Sequence, residues 1–541
     1  MQVEAESRVT QANQWLGRLE RALAAGDEAA LAGLFHADGH WRDVLALSWR
    51  IGTVSGAAEV ARGLKEHAAR ARPSGFRVDR DRTAPREVTR AGEKCVEAMF
   101  RFETVDGPAN GVVRFKGDRA WTLMTALDDL NTKNKYQKNE EPAVLIVGGG
   151  HAGLSIAARL AHRGIDALIV DRWPRVGDNW RRRYGVLRLH NQVYVNHLPF
   201  LRYPDDFPVY IPKDQLADWF ETYAQRLKLN YWTGTEFRGG TYDEKAKRWS
   251  VTVERDGQAR KLHPRHVLLA TGVSGIPSIP DIPALKGFRG KVLHSSQYDN
   301  AAAWKGKRAV VIGTGTSGHD IAQDLHGAGA HVTIVQRSPT LVINIEPSAQ
   351  LVYSIYHEGP SLEDCDLVTL SVPLALAKKA HQLASDHAKR LDQDLLRKLE
   401  QKGFRLDYGD DNTGWQFKYL TRGGGYYFNV GGSDLIVEGK IGLAQFTELE
   451  KLLPETDLVV LATGYKGQEA LVGKLFGEAV AQRVGPIWNF GENQELRNMF
   501  QRTPQPGLWF IAGSFAQCRI YSKYLALQIQ AIESGPLRES A

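Results

Sequence analysis

The sequence predicts an α/β fold: two repeated strand–turn–helix–strand units, preceded by a smaller α+β unit. Three observations carry this. Val144-Leu-Ile-Val-Gly148-Gly-Gly150-His-Ala-Gly153 runs on to Leu168-Ile-Val-Asp171-Arg172. Ala309-Val-Val-Ile-Gly313-Thr-Gly315-Thr-Ser-Gly318 runs on to Thr333-Ile-Val-Gln336-Arg337. Residues 1–130 show helical periodicity first and alternating segments after it. Each glycine unit has the apolar strand, tight turn, helix and second apolar strand of a Rossmann-like dinucleotide-binding domain.

The elements follow in order. Trp15, Leu16, Leu19 and Leu23 share one helical face, and Gly26-Asp27 ends that helix and caps the next. A helix over Ala57–Ala71 comes next, then alternating segments at 96–104, 111–115 and 120–126 that read as antiparallel strands. Residues 131–142 are polar and lack apolar periodicity, as a linker does. Strands and helices then alternate, as in a parallel sheet. The expected division is 1–130, the linker 131–142, a first dinucleotide domain from 143–275 and 456–541, and a second from 276–455. The second carries an insertion at 345–430, with helices at 373–390 and 391–402 and an aromatic, glycine-rich stretch at 415–430.

Composition removes several classes. The chain has 541 residues, 43% hydrophobic and 24% charged, enough for several packed domains. Its net charge is +7, but the basic residues are interspersed with acidic ones. The densest basic run, Arg181-Arg-Arg183, is too short for a nucleic-acid tract. Cys95, Cys365 and Cys518 form no CxxC, which argues against a redox dithiol and a zinc knuckle, and no metal site is expected. The most apolar run, 367–377, contains Pro373 and is too short to span a membrane. Met1-Gln-Val-Glu-Ala-Glu lacks a basic start and an apolar stretch, so a cytoplasmic location is expected.

The glycines have distinct tasks. Gly148 and Gly313 permit the turn, Gly150 and Gly315 let backbone approach a pyrophosphate, and Gly153 and Gly318 let helix pack on strand. Counted from the first glycine, Asp171 and Gln336 occupy the same register. A carboxylate there accepts hydrogen bonds from ribose hydroxyls and repels a ribose phosphate. An amide followed by Arg337 tolerates that phosphate and supplies a guanidinium for it. Two different dinucleotides are therefore expected, the second of them NADPH.

Further motifs narrow the reading. Arg172-Trp-Pro-Arg-Val-Gly177-Asp-Asn-Trp180 follows Asp171. Phe288-Arg-Gly290-Lys-Val-Leu-His294-Ser-Ser-Gln-Tyr298 precedes the second unit. Ala270-Thr271-Gly272 and Ala462-Thr463-Gly464 each follow an apolar strand. Pro506-Gly-Leu-Trp-Phe-Ile-Ala512-Gly513 precedes a helix expected around 522–532. Together these resemble the flavin-dependent monooxygenases built on two dinucleotide domains, over roughly three quarters of the chain. The resemblance implies FAD in the first site, bound by Gly148, Gly150, Gly153, Asp171, Arg172, Gly177, Trp180, Thr463, Gly464 and Gly513. It implies NADPH in the second, bound by Gly313, Gly315, Gly318 and Arg337.

It also implies a reaction. NADPH reduces FAD, reduced flavin takes up O2, and a C4a-(hydro)peroxyflavin oxygenates a small organic substrate at N or S, or decarboxylates an aryl keto acid. His190, Asn191 and His294 are the candidate catalytic residues. The stretch 187–200 corresponds to one that carries an active-site Asn in relatives, with His190 in the ungapped register and Asn191 next to it. His294 is expected to organise rather than to exchange protons. Residues 189–210 resemble plant auxin-forming monooxygenases, which points to an aromatic keto acid. Tyr298, where Baeyer–Villiger monooxygenases usually have Trp, tilts against ketone oxygenation, which stays as the enzyme alternative. An NADPH oxidase and a flavin-bound sensing protein stand as readings from other classes.

Residues 1–130, with Gly39-His-Trp41-Arg-Asp43, resemble a SnoaL-like, nuclear-transport-factor-like cone. That makes His40 and Asp43 an acid–base candidate, against a role in shaping an entrance or forming a homo-oligomer.

Overall fold

The computed structural model describes residues 2–131, 141–273, 275–535 and 537; of the linker reading, residues 132–140 lie outside the described residues. The first helix, Gln2–Ala25, buries Trp15, Leu16 and Leu19 completely. Gly26, at φ 62°, ends it, and the Asp27 carboxylate caps the next helix by accepting from the Ala30 amide at 2.9 Å. Helix Ala57–Ala71 lies where its pattern places it, with Val60, Ala61, Leu64 and Ala68 buried.

These helices cover a seven-stranded sheet in the order Ile51–Ser55, Phe35–Val44, Arg119–Leu127, Pro108–Lys116, Glu93–Glu103, Ser74–Val78, with Arg86–Arg90 also paired to Glu93–Glu103. The segments at 96–104, 111–115 and 120–126 pair antiparallel as expected, and the sheet adds one parallel pair, Phe35–Val44 with Arg119–Leu127. These two can run parallel because helix Ala57–Ala71 and five further strands separate them in the chain, so no tight hairpin is required.

Two five-stranded parallel sheets follow. The first has the order Asn230–Trp232, Ala167–Val170, Val144–Val147, His266–Leu269, Leu508–Phe510. The second has the order Gly442–Gln445, His331–Gln336, Arg308–Ile312, Leu458–Leu461, Lys291–His294. In both, the strand before the glycine turn lies at the point where the strand order reverses. That reversal opens a crevice at the carboxyl ends of the strands, where dinucleotides bind. The two segments that pass between the sheets lie side by side: Ile276–Pro277 pairs with Tyr465–Lys466, and the Ser278 amide donates to the Gly464 carbonyl at 2.9 Å.

The insertion folds as helices Leu362–Leu370, Leu374–Leu391, Gln393–Gln401 and Gly414–Arg422, with strand Tyr426–Asn429 paired parallel to Leu341–Asn344. The last helix, Phe515–Ser534, starts before the expected 522 because Ser514 caps it, accepting from the Gln517 amide. The N-terminal unit shares its core with two of these helices. Leu367, Val368 and Leu370 of one and Ile520, Tyr524 and Leu527 of the other belong to its buried cluster. Arg42 forks onto Glu495 across this boundary, both side chains being almost wholly buried, and also donates to the Tyr521 hydroxyl at 3.1 Å.

Candidate active site

The first glycine turn is built so that no side chain fits. A Cβ on Gly148 would lie 2.7 Å from the Ala270 carbonyl oxygen, and one on Gly153 would lie 2.0 Å from that of Gly148. One on Gly149 would overlap the Tyr231 hydroxyl. Gly150, the N-cap of helix His151–His162, faces the Asn179 side-chain amide. The free N–H groups of that helix and the bare glycine backbone form the cradle a pyrophosphate needs.

Asp171 ends the second strand. Its Oδ2 accepts from the Gly149 amide at 2.7 Å and its Oδ1 from the Trp173 amide at 3.0 Å. Burial raises its pKa, and these two backbone donors oppose that. Arg172 and Arg182 both lie over the Trp173 ring. Gly177, at φ 88°, is obligatory: a Cβ there would meet the Ala217 carbonyl at 2.4 Å. It sets up the short helix Asp178–Arg181, whose Trp180 is buried against Phe515 with its indole N–H unpartnered.

The second turn repeats the first. A Cβ on Gly313 would meet the Ala462 carbonyl at 2.3 Å, and one on Gly318 that of Gly313 at 1.9 Å. Gly315 caps helix Thr316–Gly327. The strand end differs from expectation. Gln336 is fully buried, its amide donating to the Arg405 carbonyl at 2.9 Å and accepting from the Arg405 amide at 2.8 Å. Gln336 is thus closed off by the insertion, and two exposed guanidiniums, Arg337 and Arg405, remain at this position. Arg405 also donates to the Arg337 carbonyl at 2.6 Å.

The candidate catalytic residues fall into different surroundings. His294 is buried; its Nδ1 accepts from the Ser296 amide at 3.1 Å, so Nε2 carries the proton and donates to the Gly464 carbonyl at 3.1 Å. Both nitrogens are committed, burial lowers its pKa, and it ties the segment before the second unit to the Thr463–Gly464 turn. Thr463 spends its hydroxyl on the Ser278 carbonyl at 2.6 Å. His190 is half-buried edge-on to Phe428, its pKa lowered by burial against the pull of Asp320. Asn191 donates to the Tyr353 hydroxyl at 3.0 Å.

Sequence reasoning missed Asn196. It is 1% exposed, its Nδ2 donates to the Asn191 carbonyl at 2.8 Å, and its Oδ1 has no partner. It lies against the start of the last helix, because Arg519 donates to the carbonyls on either side of it, those of Val195 and His197. Gly513 precedes that helix, and the His151 ring bonds its carbonyl at 2.8 Å while stacking on Phe515. The two helix N-termini, Gly150–His151 and Gly513–Ser514, therefore meet beside Trp180, and Arg519, one turn further along the last helix, holds the backbone on both sides of Asn196.

The insertion walls this region. Gln350 holds the His190 carbonyl, Tyr353 holds Asn191, and Glu346 accepts from Gln192 and Tyr210. Tyr353, Trp415 and Phe428 share a buried cluster with Val195 and Ala516, and Tyr426 packs against it. A separate cavity under Trp415, about 30 Å³, is lined by Leu341, Val352 and Ala388.

His40 and Asp43 do not form a pair. Three residues apart on one regular strand, they point to opposite faces. His40 bonds Ser55, while Asp43 accepts from the Leu47 and Ser48 amides and the Ser48 and Thr125 hydroxyls. Among the described residues no helix is long and apolar enough to cross a membrane, and no His, Cys, Asp and Glu cluster fits a metal ion.

A family model described as flavin-binding monooxygenase-like matches residues 141–350. The chain is 33% identical over 205 residues to a probable indole-3-pyruvate monooxygenase of Arabidopsis thaliana, YUCCA3, covering 37% of this chain and 47% of that one. It is 31% identical over 377 residues to a second from the same plant, YUCCA9, covering 68% of this chain and 81% of that one. The chain thus spans about half the length of the first relative and four fifths of the second. A solved structure titled oxidized steroid monooxygenase bound to NADP superposes with a TM-score of 0.52 at 18% identity, covering 73% of this chain and 86% of that one. At that identity the likeness shows the fold.

Proposed function

Because the chain belongs to the flavin-binding monooxygenase-like family, we propose that it is an FAD- and NADPH-dependent monooxygenase acting on an aryl keto acid. The observation that carries this is the pair of side-chain-free glycine cradles, one ending in Asp171 and the other in Arg337 and Arg405. The first fits FAD: Gly148, Gly150 and Gly153 leave room for its pyrophosphate, Asp171 offers lone pairs to its ribose, and Trp180, Asn196 and Gly513 surround the ring end. Thr463 and Gly464 hold the neighbouring turn. The second fits NADPH, with Gly313, Gly315 and Gly318 under the pyrophosphate and the two guanidiniums beside the ribose phosphate.

When bound, FAD reduced by NADPH supplies the oxygen-activating chemistry. The protein's part is orientation and exclusion of water. His294 keeps the two crossing segments in register, and Tyr353, Trp415, Tyr426 and Phe428 offer aromatic faces to an aryl group. Relatives named indole-3-pyruvate monooxygenases support the keto-acid class. The balanced reaction takes keto acid, O2, NADPH and a proton to the acid one carbon shorter, CO2, NADP+ and water. The N-terminal unit, helices over a curved mixed sheet, is read as a SnoaL-like cone.

The test is to supply indole-3-pyruvate and phenylpyruvate with NADPH under 18O2. Arylacetic acid carrying one labelled oxygen per NADPH consumed is expected. Protein purified without flavin, or NADPH oxidation that yields only H2O2 with every keto acid, overturns the reading.

A further inference from the structure

Helix Leu362–Leu370 carries two aspartates, Asp364 and Asp366, two residues apart. At 100° per residue they point roughly 200° apart, to opposite sides of the helix. Asp364 faces the N-terminal unit. It accepts from Arg82 at 2.8 Å, from the Thr83 amide at 2.9 Å and from the Thr83 hydroxyl at 2.6 Å. Asp366 faces the last helix. It holds Arg519 in a two-pronged pair, 2.7 Å on each prong, and also accepts from the Tyr356 hydroxyl at 2.8 Å.

Arg519 is 3% exposed, so its charge is tolerated only because every direction is satisfied. The remaining guanidinium nitrogen donates to the Val195 carbonyl at 2.7 Å and the His197 carbonyl at 2.8 Å. Those carbonyls bracket Asn196. A continuous series of polar contacts therefore runs from the Arg82–Thr83 loop of the N-terminal unit through one helix and one arginine to the 195–197 loop. The opposite end of the helix is anchored too, where Arg114, itself paired with Glu97, donates to the Ser371 hydroxyl at 2.8 Å.

We infer that the N-terminal unit is a positioning clamp: through Asp364, Asp366 and Arg519 it fixes the 195–197 loop, and with it Asn196, against the flavin edge. Arg519 and Asp366 are positioning residues, and they act on the steps after oxygen uptake rather than on cofactor loading. The inference rests on the monooxygenase reading for its consequence, but the loop's placement is measurable without it. It also gives the unit a task other than acid–base chemistry, for which His40 and Asp43 are not arranged.

The experiment uses the full chain loaded with FAD. Amide hydrogen exchange of 193–198 is followed together with the rate of flavin reduction by NADPH and the fraction of NADPH electrons released as H2O2. Arg519→Met and Asp366→Asn are expected to speed exchange of the Val195 and Asn196 amides at least tenfold. They should also raise the H2O2 fraction severalfold, with flavin reduction changed less than twofold. Arg519→Lys should recover part of both, since an ammonium reaches the carbonyls but cannot also fork onto Asp366. Asp364→Asn, at the far side of the helix, should speed the same exchange about threefold. If Asp364→Asn leaves exchange at 193–198 unaltered, the clamp is refuted even where the arginine variants fail to fold. If reduction slows in step with the rise in H2O2, the effect is general loosening and the proposal falls. A wild-type protein that never oxidises NADPH would remove the monooxygenase reading while the exchange data still decide the clamp.

Discussion

The two glycine units are the same object up to the end of their second strands, and different beyond it. In each, the first glycine abuts a carbonyl from the strand across the crevice, Ala270 or Ala462, and the third abuts the carbonyl of the first. After that the first unit presents Asp171, held by two backbone amides, while the second withdraws Gln336 into a two-way bond with Arg405. The shared part recognises what all dinucleotides share, a pyrophosphate. The part that differs sits where dinucleotides differ, at the ribose. On the proposed reading, a repeated scaffold acquires two specificities by altering the charge at one register position and covering it from an insertion.

The strongest way to break the comparison is to fill each cradle separately. Valine at Gly153 or Gly318 places carbon about 2 Å from a carbonyl oxygen, with no flexible side chain to yield. Gly153→Val is expected to give protein without flavin. Gly318→Val should remain yellow, with its KM for NADPH raised about a hundredfold or more. Absorbance at 450 nm and steady-state kinetics separate the two, and loss of flavin from the Gly318 variant would mean the units are not independent.

A finer cut addresses the charge. If Arg337 and Arg405 share the ribose phosphate, removing either loses one charge-assisted hydrogen bond, about 1.4 kcal/mol or tenfold in KM. Arg337→Ala and Arg405→Ala should each raise KM for NADPH about tenfold and leave that for NADH unchanged. The wild-type protein should show the higher kcat/KM with NADPH. Equal losses with both coenzymes would assign the arginines to the fold instead.

This asymmetry marks where the sequence stops being legible. The glycine units, the Ala-Thr-Gly turns and helix Ala57–Ala71 are local patterns, and local patterns specify local structure. Arg337 was visible because it follows a strand; Arg405 was not, because it lies in the insertion and meets Gln336 across a chain separation of 69 residues. Asn196 lies in a polar loop with several equivalent candidates, and only the closure of Arg519 on its flanking carbonyls picks it out. His40 and Asp43 read as a pair by proximity, yet the strand's period of two sends them apart. The same local view missed the parallel pair in the N-terminal sheet, whose register is set by contacts distant in sequence.

The smallest expected effect tests whether the units also share their response to acid. Each helix carries a histidine near its start, the half-buried His151 bonded to the Gly513 carbonyl and the buried His319 stacked on Tyr427 at 3.8 Å. Burial lowers both to about 4, and a helix N-terminus is a poor place for a further positive charge. The unfolded chain, with histidines near 6.5, binds protons that the folded chain refuses between about pH 6.5 and 4. Stability is therefore intact above pH 6.5 and is lost as pH falls through that window. For one such histidine the loss between pH 7 and 5.5 is about 1 kcal/mol. His319→Phe keeps a ring for stacking and removes the titration. Its urea midpoint should fall less than the wild type's over that interval, by the equivalent of about one proton. An unchanged pH slope would mean that His319 takes up its proton as readily in the folded protein as in the unfolded chain, and that the second unit tolerates a charge at its helix start.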